Sequence, residues 1–306
     1  MALSSTPKDY LLLHICILFW GFTSVLGVLS SLEAPYLVLY RSLLSFISLM
    51  AILYLKKMPL EFPKSSLFQL LLAGSLTGFH WITFFASARM SNVSTCLAGM
   101  ATTALWTSLL EPIMTGGKFR MKELLLAMLV ASGLLLIFYA DFRLASGLII
   151  SIISALSCAV FTIMNRNLVK QHTAFQITAW EMGIAFVFTA ACLPLLASGG
   201  FIPAAMPPLP AGWDWLNIAF LAWVCTVFAY TVSVELMKRL TAFALTLTVN
   251  LEPVYGILLG LLIFGKKEEM PALFYAGLLL ILAGVFSFPL LEGRLKREKK
   301  NPETVS

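Results

Sequence analysis

Charge is what this sequence has least of: 12% of its 306 residues are Asp, Glu, Lys or Arg, about half the share typical of a soluble domain. So little charge cannot coat a globule of this size in a water-facing shell. The hydrophobic residues, 59% of the chain, must face something other than water. With a mean hydropathy of +0.90, that partner is a bilayer. The same shortage excludes a soluble enzyme, a disordered chain and a coiled coil. Cysteine is scarce and unpatterned. The five (Cys16, Cys96, Cys158, Cys192, Cys225) all lie in apolar runs, their number is odd and no CxxC occurs, so they read as packing residues and not as a disulfide or redox framework. HExxH, GxSxG, an Asp-Asp dyad, a metal-ligand cluster and a nucleotide-binding loop are also missing. These absences argue against an intramembrane enzyme and an ATP-driven pump, and no metal or cofactor is expected. The net charge of +6 fits basic loops at a membrane surface better than a nucleic-acid partner.

What is present is a series of apolar runs, each near the roughly 20 residues that a helix needs to cross a bilayer. Ten are expected, over 10–30, 34–55, 67–88, 92–114, 121–139, 144–165, 174–196, 214–236, 241–264 and 270–290. They are too long and continuous for barrel strands. The first is longer than the apolar core of a signal peptide and is expected to be a retained span. With the N-terminus in the cytoplasm, 16 of the 21 basic residues fall on the cytoplasmic side, 4 fall outside (Arg89, Arg143, Lys266, Lys267) and Arg41 lies within a span. That split satisfies the positive-inside rule with both termini inside. The expectation is therefore a multi-pass protein of the cell (inner) membrane with a basic cytoplasmic tail over 291–306.

The chain also repeats itself. Arg89-Met90-Ser91 through Thr102-Thr103 matches Arg239-Leu240-Thr241 through Glu252-Pro253 at an offset of 150 residues. Two five-helix halves follow, over 10–139 and 144–290. Because five is odd, the second half enters the membrane upside down relative to the first. Inverted repeats are typical of secondary transporters, whose binding sites lie near the midplane between the halves.

Charged or strongly polar groups at membrane depth cost enough to need a reason. Glu252 lies midway along the ninth span, with Thr248, Tyr255 and Gly256 on its face, as a cavity wall would. The alternative is a packed glutamate bonded to a neighbouring helix. Pro253 beside it frees a carbonyl one turn earlier. His80 shares a face with Thr77, Trp81 and Phe84 and serves either a ligand or proton, or an interhelical hydrogen bond. Arg41 and Glu181 hold similar places in the second helix of each half, for binding an opposite charge, gating or simple pairing. Glu111, before Pro112, is a gate candidate. Glu235 pairs locally with Lys238 or Arg239. Trp20, Thr23, Ser24 and Gly27 in the first span, and Gly99, Thr102, Thr103 and Trp106 in the fourth, form milder stripes at matching depth. Spans five and ten are nearly free of polar side chains and look peripheral, packing on the bundle or on a second copy in a homodimer.

Trp20-Gly21, Arg41 and the stretch Asn250-Leu251-Glu252-Pro253-Val254-Tyr255-Gly256 resemble the EamA family of the drug/metabolite transporter superfamily. The resemblance covers nearly the whole chain. It implies an all-α polytopic membrane protein of ten helices in two inverted repeats, with helices one to four and six to nine around a central cavity, and secondary export of small metabolites. Thr103, Cys158 and Lys266-Lys267 depart from the commoner pattern. The resemblance fixes the class and not the cargo.

Together these readings predict an exporter of amino acids or related zwitterions working by alternating access, either proton-coupled or driven by the gradient of its cargo. Its substrate site would use Trp20, Ser24, Arg41, His80, Trp81, Phe84, Thr103, Trp106, Glu181, Glu252 and Tyr255, with Glu111, Glu181 and Glu252 in gating or coupling. Export of cationic drugs or other metabolites is the alternative within that class. A non-transporting receptor or scaffold is the alternative outside it.

Overall fold

A computed structural model of the chain describes residues 5–59, 61, 64–119, 121–140, 144–284 and 287. The tail over 291–306, Arg120, Arg143 and the end of the last expected span lie outside the described residues. Among these, regular structure is helical throughout. The first half holds α1 (Pro7–Leu29), α2 (Ala34–Leu55), α3 (Leu67–Met90), α4 (Val93–Met100), α5 (Thr103–Thr115) and α6 (Met121–Ala140). The second holds α7 (Ala145–Leu168), α8 (Ala174–Ser198), α9 (Asp214–Ala219), a π-helical stretch over Phe220–Phe228, α10 (Ala229–Leu236), α11 (Ala242–Val249) and α12 (Glu252–Phe264), then α13 (Ala272–Gly284). By length and composition, eight segments can cross a bilayer: α1, α2, α3, Val93–Thr115, α7, α8, Asp214–Leu236 and Ala242–Glu268. The fifth and tenth expected spans correspond to shorter apolar stretches, Leu124–Ile137 and Ala272–Gly284. The chain is an integral membrane protein.

Local chemistry explains where helices start. Thr6 and Asp9 form a reciprocal capping box at α1, satisfying amides that no helical carbonyl reaches. Asn92 accepts from the Thr95 amide at the start of α4, and Thr241 from the Ala244 amide at the start of α11. In the register of the repeat these two caps lie one residue apart. Asn92 heads a nominal glycosylation sequon, but its side chain is engaged as a helix cap.

The fourth and ninth spans are each broken in two. Between α4 and α5 no proline intervenes. Instead the Thr102 hydroxyl donates to the Gly99 carbonyl at 2.7 Å and the Thr103 hydroxyl to the Met100 carbonyl at 2.6 Å. Hydroxyls thus occupy carbonyls that backbone amides would otherwise use. Between α11 and α12 the cause is Pro253, which has no amide to donate and sits at the start of α12. In the eighth span the π stretch inserts a wide turn, and Thr226 donates to the Leu221 carbonyl five residues back. Such wide turns inside helices gather at functional sites.

One set of long-range polar contacts lies at each of two opposite faces. At the face where α1 begins lie Asp9–Arg239 at 2.8 Å, Glu111–Arg166 at 2.5 Å and Ser66–His172 at 2.8 Å. At the opposite face Asp214 accepts from Ser30 at 2.8 Å and from the amide and hydroxyl of Ser31, while Arg89 donates to the Gly27 and Ser30 carbonyls. Glu235 pairs with Lys238 at 2.7 Å. Arg89 and Arg239, matched by the repeat, therefore sit at opposite faces, as chain alternation through the membrane requires.

One large apolar core joins α1, α2, α3, α7 and α8 with the eighth and ninth spans. A smaller cluster built on Val130, Ile137, Phe274 and Ile281 ties α6 and α13 to Ala98, Ala101 and Ile257, so both helices stand at the bundle's edge. There Gly133 and Gly277 lie against each other's carbonyl oxygens. This Gly133–Gly277 contact is thus made within one chain. Elsewhere Gly21 lets α1 lie against α12: a Cβ there would come within 2.7 Å of the Tyr255 Cβ and 3.3 Å of the Gly256 amide nitrogen. Close packing through glycine is thereby built into the Trp20-Gly21 and Tyr255-Gly256 pairs.

Candidate functional site

The breaks in the fourth and ninth spans converge on a central cavity with an empty volume of about 840 Å³, its open part included, and the π stretch reaches it indirectly, through the bond from Arg41 to Thr226. Seven of the eleven residues expected to bind cargo line it: Trp20, Arg41, His80, Trp81, Phe84, Thr103 and Glu252. Its wall also contains residues that sequence reasoning did not single out for binding, chiefly Phe161, Tyr230, Met237, Thr246 and Asn250.

Arg41 is 3% exposed. Its Nε donates to Thr226 Oγ1 at 2.9 Å, and its guanidinium carbon stands 3.8 Å from the centre of the Trp81 ring. The π stretch is what presents Thr226 here. Its neighbour Cys225 offers a carbonyl to the Trp20 indole at 3.0 Å, and Ala222 offers one to Ser45 at 3.3 Å. Stacking on an aromatic face holds a desolvated cation by about 2 kcal/mol or more. Among the described residues no carboxylate forms an ion pair with Arg41. Glu252, at the start of α12, lines the same cavity and interacts with Arg41 across it at longer range than a salt bridge. A guanidinium and a carboxyl group thus face one space without touching each other. Beside Glu252, the buried Asn250 side chain has an amide nitrogen with no partner among the described residues.

His80 is bound to α7: its Nδ1 is 2.8 Å from Ser154 Oγ, which donates in turn to the His80 carbonyl at 2.8 Å. The interhelical reading is therefore realised, and the ring still forms part of the wall between Phe84 and Phe161.

Four expected residues stand off the lining. Glu181, 0% exposed, accepts from Tyr230 Oη at 3.0 Å and Asn165 Nδ2 at 3.2 Å. It sits one side chain behind the wall. Ser24 is fully buried and Trp106 half-buried, and their Oγ and Nε1 lack partners among the described residues. Tyr255 is half-buried and packs on the Gly21 contact. Glu111 lies at the α1-start face, paired with Arg166 and accepting from the Phe243 amide at 3.2 Å.

Glu111 has a counterpart that the sequence did not reveal. Glu268, 3% exposed at the far end of the ninth span, accepts from the Val93 and Ser94 amides at 2.9 and 3.0 Å and from the Ser94 hydroxyl at 2.7 Å. Each broken span thus ends in a carboxylate that caps the first turn of the other, one latch at each face. The amide partners, Val93 and Phe243, are 150 residues apart, the offset of the repeat. A carboxylate at a helix N-terminus is favoured by both hydrogen bonding and the helix dipole. Among the described residues no group of three or more His, Cys, Asp or Glu is placed to hold a metal ion.

The model of the EamA-like transporter family matches residues 8–139 and again 145–288. A protein of Archaeoglobus fulgidus described as an uncharacterized transporter is 27% identical over 176 residues, or 56% of this chain. The match spans 58% of that relative's length. A solved crystal structure superposes with a TM-score of 0.68 at 17% identity, covering 95% of this chain and 99% of the other, and so shares the fold.

Proposed function

This chain belongs to the EamA-like transporter family, and from that premise we propose that it exports small zwitterionic metabolites, amino acids or their close relatives, by alternating access. The family is one of transporters, and the chain is a membrane transporter in that general sense. The observation that carries the finer reading is the unpaired opposition of Arg41 and Glu252 in an aromatic-walled cavity. Arg41 suits a carboxylate, Glu252 an ammonium group, and Trp20, Trp81, Phe84 and Phe161 the apolar remainder. The two carboxylate latches, one per face, supply what alternating access needs: an end that opens while the other stays closed. We place the protein in the cell membrane with both termini in the cytoplasm.

The test uses proteoliposomes loaded with an equimolar mixture of the twenty amino acids, with efflux read by mass spectrometry. Selective efflux of one or a few zwitterions, lost in both Arg41→Ala and Glu252→Gln, is expected. Wild-type rates in both variants would remove these residues from the site.

A specific observation favours a second reading. Arg41 is already engaged by Thr226 and Trp81, so its role can be to shape the wall while Glu252 and the aromatics take a cationic cargo. In that case organic cations leave the vesicles, and Arg41→Ala leaves their flux intact.

A further inference from the structure

We infer that Glu181 is a proton-binding site, linked to the cavity through Tyr230 and separate from the charges that face the cargo. The inference rests on the transport reading and adds the coupling ion to it. Glu181 Oε2 accepts from Tyr230 Oη and Asn165 Nδ2, and Asn165 Nδ2 also lies 2.9 Å from Tyr230 Oη. Oε1 is buried with no partner among the described residues. A carboxyl kept only for packing would have both oxygens bonded, since an unmet buried acceptor costs about 1–3 kcal/mol. The open oxygen leaves the carboxyl with no second partner to lose when Oε2, the oxygen bonded to Tyr230, takes up a proton.

The surroundings fit that use. From α3 comes Thr77, whose hydroxyl is 3.5 Å from Tyr230 Oη. From α7 comes Asn165, and from α10 comes Tyr230, the titratable group that faces the carboxyl. From α2, Arg41 is turned to Thr226 and Trp81. Among the described residues no cation pairs with Glu181, so its charge is not cancelled by a fixed partner. Tyr230 belongs to both compartments: its side chain lines the cavity, edge-on to Trp81 at 6.4 Å and tilted on Phe161 at 6.2 Å, while its hydroxyl holds Glu181. Its hydroxyl passes a proton to Glu181 and takes one from the cavity side. The carboxylate gains one proton, the tyrosine is unchanged and the cavity loses one; the reverse step returns it. Cargo that displaces the rings around Tyr230 makes or breaks this link.

The test reconstitutes the full chain in liposomes enclosing the pH dye pyranine and the twenty-amino-acid mixture. The wild type is expected to couple efflux to proton uptake. Glu181→Gln is expected to keep exchange of labelled amino acids within about threefold while losing at least about tenfold of the pH-gradient-driven flux; Tyr230→Phe slows proton uptake in the same direction. Glu181→Gln with unchanged proton uptake overturns the inference, as does wild-type exchange with no proton movement. If the wild type moves no amino acid, the transport reading fails by itself. The proton site is then judged on the purified protein by infrared difference spectra between acidic and alkaline pH. A carboxyl band that is present in the wild type, absent in Glu181→Gln and shifted in Tyr230→Phe supports it. A band that survives in Glu181→Gln overturns it.

Discussion

Arg41 and Glu181 occupy the second helix of each half, yet one lines the cavity and the other lies behind it. The difference comes from what each helix packs against. α2 lies along the π stretch, whose wide turn brings Thr226 to Arg41 and leaves the guanidinium stacked on Trp81. α8 is pressed onto α3 where Gly74 and Gly78 leave no side chain between them. A Cβ on Gly74 would come within 2.7 Å of the Ile184 Cβ and 3.0 Å of the Glu181 carbonyl oxygen. That contact sets α8 one layer back and interposes Tyr230. A duplicated scaffold therefore need not carry a duplicated site: one half offers a cation to the cavity, and the other withholds an acid from it.

The largest way to break this comparison is to remove each member. Arg41→Ala should lower amino-acid efflux by about 100-fold, roughly 2.7 kcal/mol of lost stabilisation, while Glu181→Gln leaves cargo exchange nearly intact. Equal losses in the exchange assay would erase the distinction. The latches come next. Glu268 accepts three hydrogen bonds in a buried setting, whereas Glu111 accepts one backbone amide and shares a half-buried pair with Arg166. Glu268→Gln should therefore cost about 1.5–3 kcal/mol, and Glu111→Gln about 1 kcal/mol or less. Thermal melts in detergent would check the order, and a reversed ranking would show that the Glu111 face is the tighter seal.

Much of this arrangement was legible in the sequence, for physical reasons. Long apolar runs leave helix as the form that satisfies every backbone group, and polar character at membrane depth marks Arg41, His80 and Glu252 in the sequence itself. Glu181 was conspicuous for the same reason, but depth along a helix does not say which layer a face meets. Tyr230 was missed although Thr226, Tyr230, Ser233 and Met237 follow helical spacing, because a stripe of mixed chemistry in an apolar span gives little contrast. Glu268 was missed because its partners are 174 and 175 residues away, a pairing that only the fold creates. The break at Pro253 had a signal in the proline. The break at Thr102 had none beyond its place in the repeat.

Smaller effects sharpen the same contrast. Gly74→Leu should push α8 off α3 and destabilise the protein by about 1–3 kcal/mol, visible as a lower melting temperature. The same change at Gly116, whose φ of 66° lies outside the packed bundle with nothing near its Cβ, would act through backbone strain alone. Thr226→Val should cost about 1 kcal/mol through the lost bond to Arg41 and raise KM severalfold with little change in maximal flux. An unchanged KM would mean that Trp81 alone orients the guanidinium.

The central claim is that Arg41 and Glu252 hold the two opposite charges of one cargo. Its most direct test compares the transported amino acid with its decarboxylated amine and its deaminated acid, in competition, in wild type, Arg41→Ala and Glu252→Gln. Loss of at least about tenfold of the preference over the amine in Arg41→Ala, and over the acid in Glu252→Gln, is predicted. Preferences that persist unchanged in both variants would contradict it.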